Sequence, residues 1–353
     1  MFTGVSMHEY PVVVGRALLD EVHKHLDGVK KVLVVHPQAL TASAEQLKEN
    51  LDSHQFEVLL AGIPDGDDSK RVEVASFAWQ IMGQADFNRN DAVIGLGGGA
   101  TTDMAGFIAS TWLRGVRYVA IPTTLLAMVD AAIGGKTGLN TSEGKNLVGT
   151  FYLPSAVIAD IDTLETLPKH DLTAGFAEVI KYGFVYQPEI LDLIESNNES
   201  VVNPDSEILE DLINRSISIK RKVTESDFRE SGEREFLNYG HTLGHAIEHV
   251  ERYQWRHGAA ISIGMVYAAE LSLAKGHLSE KQVDRHRSIL SSLGLPISYR
   301  GDRWPQLFDA LKKDKKVRGG IIRFVTLKDF GKPEITSSLT EEELFATYQS
   351  IID

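Results

Sequence analysis

Three side chains in the second half of the chain have the types needed to hold a divalent metal. They are Glu178 in Ala177-Glu-Val-Ile-Lys-Tyr-Gly183, His241 in Asn238-Tyr-Gly-His-Thr-Leu-Gly-His245, and His257 in Trp255-Arg-His-Gly258. One carboxylate and two imidazoles leave coordination positions open, and an open metal is a catalytic metal rather than a structural one. Glu178 and Lys181, three apart, share a helix face, as do His241 and His245, four apart. That spacing admits two readings of His245: a second ligand on the same helix, or a proton-transfer group beside a single ligand. Any one of these histidines alone reads as an ordinary structural residue. Three motifs with glycines beside them point to a site.

A second kind of chemistry lies in the first half. Gly95-Leu-Gly-Gly-Gly99 follows an apolar run and opens a helix from Ala100, with Asp103 expected in its first turn. Glycines there let backbone amides approach a phosphate, and the helix N-terminus supplies a favourable field. The spacing is not the Gly-x-Gly-x-x-Gly of the usual dinucleotide fingerprint. An earlier loop, Pro64-Asp-Gly-Asp-Asp-Ser-Lys70, could present an acidic residue to ribose hydroxyls. Asp130-Ala-Ala-Ile-Gly-Gly-Lys136 and Lys145-Asn146 set charged and amide groups among glycines and small residues. Lysines placed in such tight backbone read as binders of anions and hydroxyls rather than as solvated surface charge.

The elements that must position these groups fall into two textures. Up to about residue 162, short apolar runs rich in β-branched residues (32–35, 58–60, 92–96, 118–121, 157–159) alternate with longer amphipathic stretches. Such runs suit strands buried on both faces of a parallel sheet. From about residue 167 the patterns are helical, over 188–196, 206–224, 241–252, 259–275 and 279–293. The expected architecture is therefore an α/β domain over residues 1–165 followed by a mostly α-helical domain over 166–353, with ligands in the crevice between them. A chain of 353 residues is long enough for two domains.

Composition narrows the function. Hydrophobic residues at 43% and charged residues at 24% are ordinary globular values. The apolar run 118–129 is too short to span a bilayer and is interrupted by Pro122. No secretory signal is visible at the N-terminus. The absence of cysteine removes thiolate metal sites, disulfides and cysteine nucleophiles, and is compatible with a reducing cytoplasm. With 36 basic and 49 acidic residues the net charge is −13, which disfavours nucleic acid and anionic membranes as partners. The exception is local: Lys136, Lys145, Lys181, Lys220 and the Lys312-Lys-Asp-Lys-Lys316 cluster lie near the motifs.

Taken in order, these motifs resemble the 3-dehydroquinate synthase family. The resemblance rests on Gly97 through Asp103, Pro122-Thr-Thr124, Asp130 through Lys136, Lys145-Asn146, Gly175 through Gly183, Asn238 through Glu248 and His257-Gly258. It runs from about Asp65 to Lys316. It implies a modified Rossmann-like NAD-binding domain followed by a helical metal-binding domain. Glu178, His241 and His257 are the implied ligands of a divalent metal, zinc or alternatively cobalt. His245 becomes a catalytic group, together with Lys136, Asn146, Lys181 and Asp130. Arg114, Lys220, Arg234, Asn238 and Lys315 fall at substrate-binding positions, and Arg114 is implied to act across a homodimer interface. Asp65, Gly66, Lys70, Gly98, Gly99, Asp103, Thr123, Thr124, Lys136, Lys145, Thr163 and Thr166 fall at NAD-binding positions.

The implied reaction converts 3-deoxy-D-arabino-heptulosonate 7-phosphate to 3-dehydroquinate and phosphate, in the shikimate route to aromatic amino acids. NAD would oxidise the C5 hydroxyl transiently, which acidifies the C6 proton and permits phosphate loss; reduction and an aldol closure follow. The metal would favour the alkoxide, and the basic groups would hold phosphate and carboxylate. Thr102 stands where many family members carry a glycine, and the register of the lysine cluster leaves Lys315 and Lys316 to be told apart. Related cyclases share the NAD and metal residues, whereas Lys220, Arg234 and Asn238 favour a carboxylate-bearing substrate. The alternatives are another sugar phosphate cyclase, a metal-dependent polyol dehydrogenase, or a noncatalytic NAD-binding module.

Overall fold

The structure is a computed structural model that describes residues 10–229, 232–317 and 321–353, without the side chains of 314–317. The chain forms two compact units, Met1–Leu167 and Pro168–Asp353.

The first unit is built on a six-stranded parallel sheet. Its strands are β1 (Val12–Gly15), β2 (Lys31–Pro37), β3 (Glu57–Ile63), β4 (Ala92–Gly97), β5 (Arg117–Pro122) and, after an antiparallel hairpin of β6 (Lys136–Thr141) and β7 (Gly144–Phe151), β8 (Ala156–Asp160). The order is β1-β8-β5-β4-β2-β3, and every pairing in it is parallel. Parallel strands covered on both faces read as continuous apolar runs, and β4 and β8 are buried at every position. Helices α1 (Thr41–Ser53), α2 (Val72–Gln84) and α3 (Gly99–Thr111) connect strands. One core cluster gathers Val32, Val34, Leu47, Ile94, Val119 and Ile158. Gly95 is required where α3 crosses β4, because a Cβ there would lie 2.7 Å from that of Ala105.

The second unit is mostly helical. It contains α4 (Lys169–Val185), α5 (Glu189–Ser196), α6 (Glu207–Ser226), α7 (His241–Val250), α8 (His257–Ala274), α9 (Glu280–Ser292), α10 (Trp304–Val317) and α11 (Glu341–Gln349). The helical periods read from the sequence correspond to α5 through α9, with ends shifted by one or two residues. A hairpin of β9 (Arg323–Asp329) and β10 (Lys332–Ser337) interrupts the otherwise helical unit. No helix among the described residues is long and apolar enough to cross a membrane.

Two further glycines decide how these helices meet. A Cβ on Gly258 would lie 1.9 Å from the Ala174 carbonyl oxygen of α4, and one on Gly264 would lie 1.8 Å from the carbonyl oxygen of Gly240, which precedes α7. Only glycine lets α8 approach both backbones this closely. His257 begins α8, His241 begins α7, and Glu178 lies one turn beyond Ala174. The two close approaches therefore bring the three motifs to one place.

Candidate active site

In the second unit, α4 runs through the core with nearly every residue after Ala174 buried, and Glu178 and Lys181 are the charged members of that stretch. Glu178 is fully buried and Lys181 is 1% exposed. Glu178 Oε2 accepts from the Lys181 ammonium, an ion pair at i, i+3. Its other oxygen, Oε1, is buried without a hydrogen bond. His241 Nε2 stands 3.3 Å from Oε1 and His257 Nε2 stands 3.4 Å from it. A buried carboxylate oxygen with no hydrogen bond is costly. Here it converges with two imidazole nitrogens, all three atoms within 4.8 Å of one another, and the set fits a divalent cation. Each imidazole is held from its far side. His241 Nδ1 donates to the Tyr239 carbonyl at 3.1 Å, and His257 Nδ1 lies 3.4 Å from Glu248 Oε2.

The electrostatics agree with this geometry. Burial alone would raise the Glu178 pKa, but the Lys181 ammonium and then His241 outweigh it and hold the carboxyl well below its ordinary value. Burial lowers the pKa of His241. Burial acts downward on His257 as well, yet the carboxylates of Glu178 and Glu248 on its two sides overcome it and push the pKa up to about 10. His245 is not in this triad. Its side chain is half exposed, its ring is 5.2 Å from that of His241 and 6.0 Å from that of His257, and its Nε2 is 4.0 Å from Glu248 Oε2. His245, Glu248 and His257 form a second candidate cluster that shares His257 with the first.

The same unit buries cations. Lys220 on α6 is 7% exposed and Arg234 is 2% exposed. One guanidinium arm of Arg234 donates to the Phe228 carbonyl at 2.7 Å. The short turn Glu233–Asn238 carries Arg234 and Asn238 and ends just before Tyr239. Lysine and arginine are rarely buried to this degree, and together with Lys181 they are three buried cationic side chains among the described residues of the unit. The side chain of Lys315 lies outside the described residues.

In the first unit the expected cofactor residues collect at the carboxyl ends of the parallel strands. Asp65, Gly66 and Lys70 follow β3; Gly98, Gly99 and Asp103 follow β4; Thr123 and Thr124 follow β5; Thr163 and Thr166 follow β8. That edge is where open α/β sheets bind ligands. Gly98 is the N-cap of α3 and offers no side chain to its first-turn amides, leaving them for an anion. A Cβ on Gly99 would lie 2.8 Å from that of Ala131, so the loop has no room for a larger residue. Asp103 lies one residue past the first turn expected for it, because Gly99 already takes helical geometry. Thr102 is buried and donates to the Gly99 carbonyl at 3.0 Å, so its hydroxyl turns back onto its own helix.

Lys70, 4% exposed, donates to Asp103 Oδ2 at 2.5 Å and to Asn146 Oδ1, tying α3 to the β6–β7 hairpin. Lys145 on the same hairpin pairs with Asp67. Lys136 is exposed at the start of β6, and Asp130 is half-buried in the turn before it. Asn146 takes φ +56, a left-handed conformation that asparagine tolerates better than most residues. The hydroxyls of Thr163 and Thr166 donate to nearby backbone carbonyls, and Thr166 is exposed. Arg114 is exposed at φ +67 after α3, next to Leu113 at φ +48. Sequence reasoning gave no role to Glu248, Tyr239 or His286; His286 Nε2 stands 2.9 Å from the Tyr239 hydroxyl. Glu248 lies at i+7 from His241, and this helical spacing was the available signal.

Comparison with known proteins matches this arrangement along most of the chain. Residues 60–174 match the 3-dehydroquinate synthase N-terminal family model, and residues 175–317 match the 3-dehydroquinate synthase C-terminal model. A 3-dehydroquinate synthase of Paenarthrobacter aurescens (strain TC1) is 56% identical over 351 residues, covering 99% of this chain and 97% of the relative. Among solved structures, 2-epi-5-epi-valiolone synthase of Streptomyces hygroscopicus subsp. jinggangensis 5008, with NAD+ and Zn2+ bound, superposes with a TM-score of 0.92 at 27% identity, covering 99% of both chains. A 2-deoxy-scyllo-inosose synthase complexed with carbaglucose-6-phosphate, NAD+ and Co2+ gives a TM-score of 0.87 at 26% identity, over 97% of this chain and 96% of the other. Family models and a near full-length relative agree with the motif order, and the chain belongs to the 3-dehydroquinate synthase family.

Proposed function

We propose that this chain is a 3-dehydroquinate synthase, a cytoplasmic, homodimeric lyase that uses NAD and a divalent metal, zinc or cobalt, to convert 3-deoxy-D-arabino-heptulosonate 7-phosphate to 3-dehydroquinate and phosphate. The observation that carries the metal half of the reading is the convergence of Glu178 Oε1 with the Nε2 atoms of His241 and His257, a carboxylate oxygen otherwise left without a partner. Identity of 56% to a named synthase, against 27% and 26% to the valiolone and inosose synthases, favours this substrate over those of the related cyclases.

When bound, NAD would accept and return a hydride, and the cation would lower the pKa of the reacting hydroxyl. The residues of the chain supply the rest. Glu178, His241 and His257 would hold the cation, and Lys181 occupies the second oxygen of Glu178 so that Oε1 alone faces the imidazoles. Gly98, Gly99 and the first amides of α3 would take the pyrophosphate, with Thr123, Thr124, Thr163 and Thr166 beside it and Asp65 and Gly66 at a ribose. Lys70 holds Asp103 and Asn146 in register. His245, half exposed and outside the ligand triad, would move a proton. Lys136, Lys181, Lys220, Arg234, Asn238, Lys315 and Asp130 would bind the phosphate, carboxylate and hydroxyls of the substrate, and Lys145 would contact NAD. Arg114 would complete that set in the partner protomer; its exposed, left-handed turn supports this reading.

Metal content and phosphate release, measured on Glu178→Ala, His241→Ala and His245→Ala with and without chelator, test the assignment. The first two variants lose metal and turnover together. His245→Ala keeps the metal and turns over slowly. Equal metal loss in all three would overturn the division of roles.

A further inference from the structure

His257 has a carboxylate on each side of its ring. Nε2 lies 3.4 Å from Glu178 Oε1, and Nδ1 lies 3.4 Å from Glu248 Oε2. Glu248 sits on α7 at i+7 from His241 and i+3 from His245, so the three form one stripe along that helix. It is 7% exposed, a low value for a carboxylate. Its Oε2 is also 4.0 Å from His245 Nε2. Two candidate metal clusters thus overlap at His257, one with Glu178 and His241 and the other with His245 and Glu248.

The chemistry of imidazole decides between them. A neutral ring carries one lone pair and one N–H, so His257 can give a lone pair to one cluster only and must present a proton to the other. Glu178 is fully buried, and its Oε1 lacks a hydrogen bond. In the other cluster the His245 side chain is half exposed. The lone pair therefore belongs at Nε2, toward Glu178, and the N–H at Nδ1, toward Glu248. We propose that Glu248 is a positioning residue of the metal centre: it takes the Nδ1–H of His257 and fixes the tautomer whose Nε2 faces Glu178 and His241. This rests on the reading of Glu178, His241 and His257 as the ligands.

The two histidine ligands are then held alike from Nδ1, with one difference. His241 is held by the Tyr239 carbonyl, which no side-chain substitution removes. His257 depends on a side chain at the end of a nine-residue connection in sequence. Outer carboxylates of this kind, bonded to a ligating imidazole, typically contribute about 10- to 100-fold to metal affinity.

The test is Co2+ affinity by chelator competition on the full-length apoprotein, with the visible absorption of bound Co2+ as a second readout and thermal unfolding of each apo variant as the check on folding. Glu248→Ala is expected to weaken Co2+ binding about 10- to 100-fold and change the Co2+ spectrum, and Glu248→Gln, which keeps an acceptor, to fall between it and the wild type. Glu248→Ala binding Co2+ as tightly as wild type, while Glu178→Ala loses it, overturns the role of Glu248 and leaves the ligand triad standing. Glu178→Ala binding normally overturns the triad itself. If His245→Ala weakens binding as much as Glu248→Ala while Glu178→Ala does not, the metal belongs to the other cluster and the proposal fails. Should Glu248→Ala not fold, Glu248→Gln decides: a loss of about threefold or more supports the role, and unchanged affinity overturns it.

Discussion

His286 makes a quantitative prediction about the support beneath the metal centre. It is fully buried on α9, stacked on Phe184 of α4 with ring centroids 3.6 Å apart and planes 6° from parallel. Nδ1 stands 2.8 Å from the Gln282 carbonyl and so carries the proton, which leaves Nε2 to accept from the Tyr239 hydroxyl at 2.9 Å. Both nitrogens are committed to the neutral ring. Burial, aided by Arg285 and Arg287 and opposed by the Gln282 carbonyl, pushes its pKa down to about 3. The unfolded chain has an ordinary histidine with a pKa of about 6.5. Below that value the unfolded state takes up a proton that the folded state refuses, so stability falls as pH falls, and above it the effect vanishes. At pH 5 the loss from this residue is about 2 kcal/mol, and by pH 3 it is about 4 kcal/mol. The pH 5 figure depends almost entirely on the unfolded pKa, so it holds for any folded value well below 5. Urea unfolding of wild type and His286→Gln at pH 7 and pH 5, followed by amide exchange in α4 and α9, isolates the residue from the carboxylates that titrate in both. The wild type is expected to lose about 2 kcal/mol more than the variant between the two pH values. Parallel losses in the two proteins would refute the argument.

Other predictions follow from the same contacts. Gly258→Ala places a Cβ 1.9 Å from the Ala174 carbonyl oxygen, so α8 must move away from α4 and carry His257 with it; metal content after purification is expected to collapse, and full occupancy would contradict the packing argument. In the metal-free protein His257 holds a proton with a pKa of about 10, so metal binding must release it, and affinity should rise about tenfold per pH unit between pH 6 and 9 in chelator competition. A flat profile would show that His257 is already deprotonated or is not a ligand. Lys70→Met removes the donor to Asp103 and Asn146 and is expected to weaken NAD binding at least tenfold by calorimetry while leaving metal affinity unchanged. Loss of both ligands together would mean that Lys70 supports the fold rather than the cofactor loop.

How much of this could be read from the residues depended on the kind of contact. Strands β2, β4, β5 and β8 were legible because strands buried on both faces write continuous apolar runs, and β3, partly exposed at the sheet edge, was legible from the short apolar run 58–60. The β6–β7 hairpin was not, since Thr, Gly and Asn dominate β6 and the apolar Leu147, Val148 and Phe151 of β7 are exposed. The β9–β10 hairpin was hidden by the helical texture around it, and β1 is only four residues long. Helices α5, α6, α7 and α9 were legible to within two residues because their apolar faces repeat at helical period, whereas α8 is buried nearly all round and was legible as one long apolar stretch. Within the site, Glu178 with Lys181 and His241 with His245 were visible as same-face pairs. Spacing could not separate ligand from proton carrier; the family resemblance implied that His245 is not a ligand, and in the fold the Glu178, His241 and His257 cluster forms without it. The His257–Glu248 contact crosses the connection between two helices, where no periodicity carries a signal.

The central claim is that redox chemistry on this chain is temporary, with the hydride returned within each turnover. The most direct test is to supply the metal-loaded enzyme with catalytic NAD and excess 3-deoxy-D-arabino-heptulosonate 7-phosphate, and to follow phosphate release and reduced cofactor together. Many equivalents of phosphate per NAD, with no net accumulation of NADH and with activity abolished by chelator, is the predicted result. NADH accumulating in proportion to substrate consumed, or phosphate release indifferent to metal removal, would contradict the account.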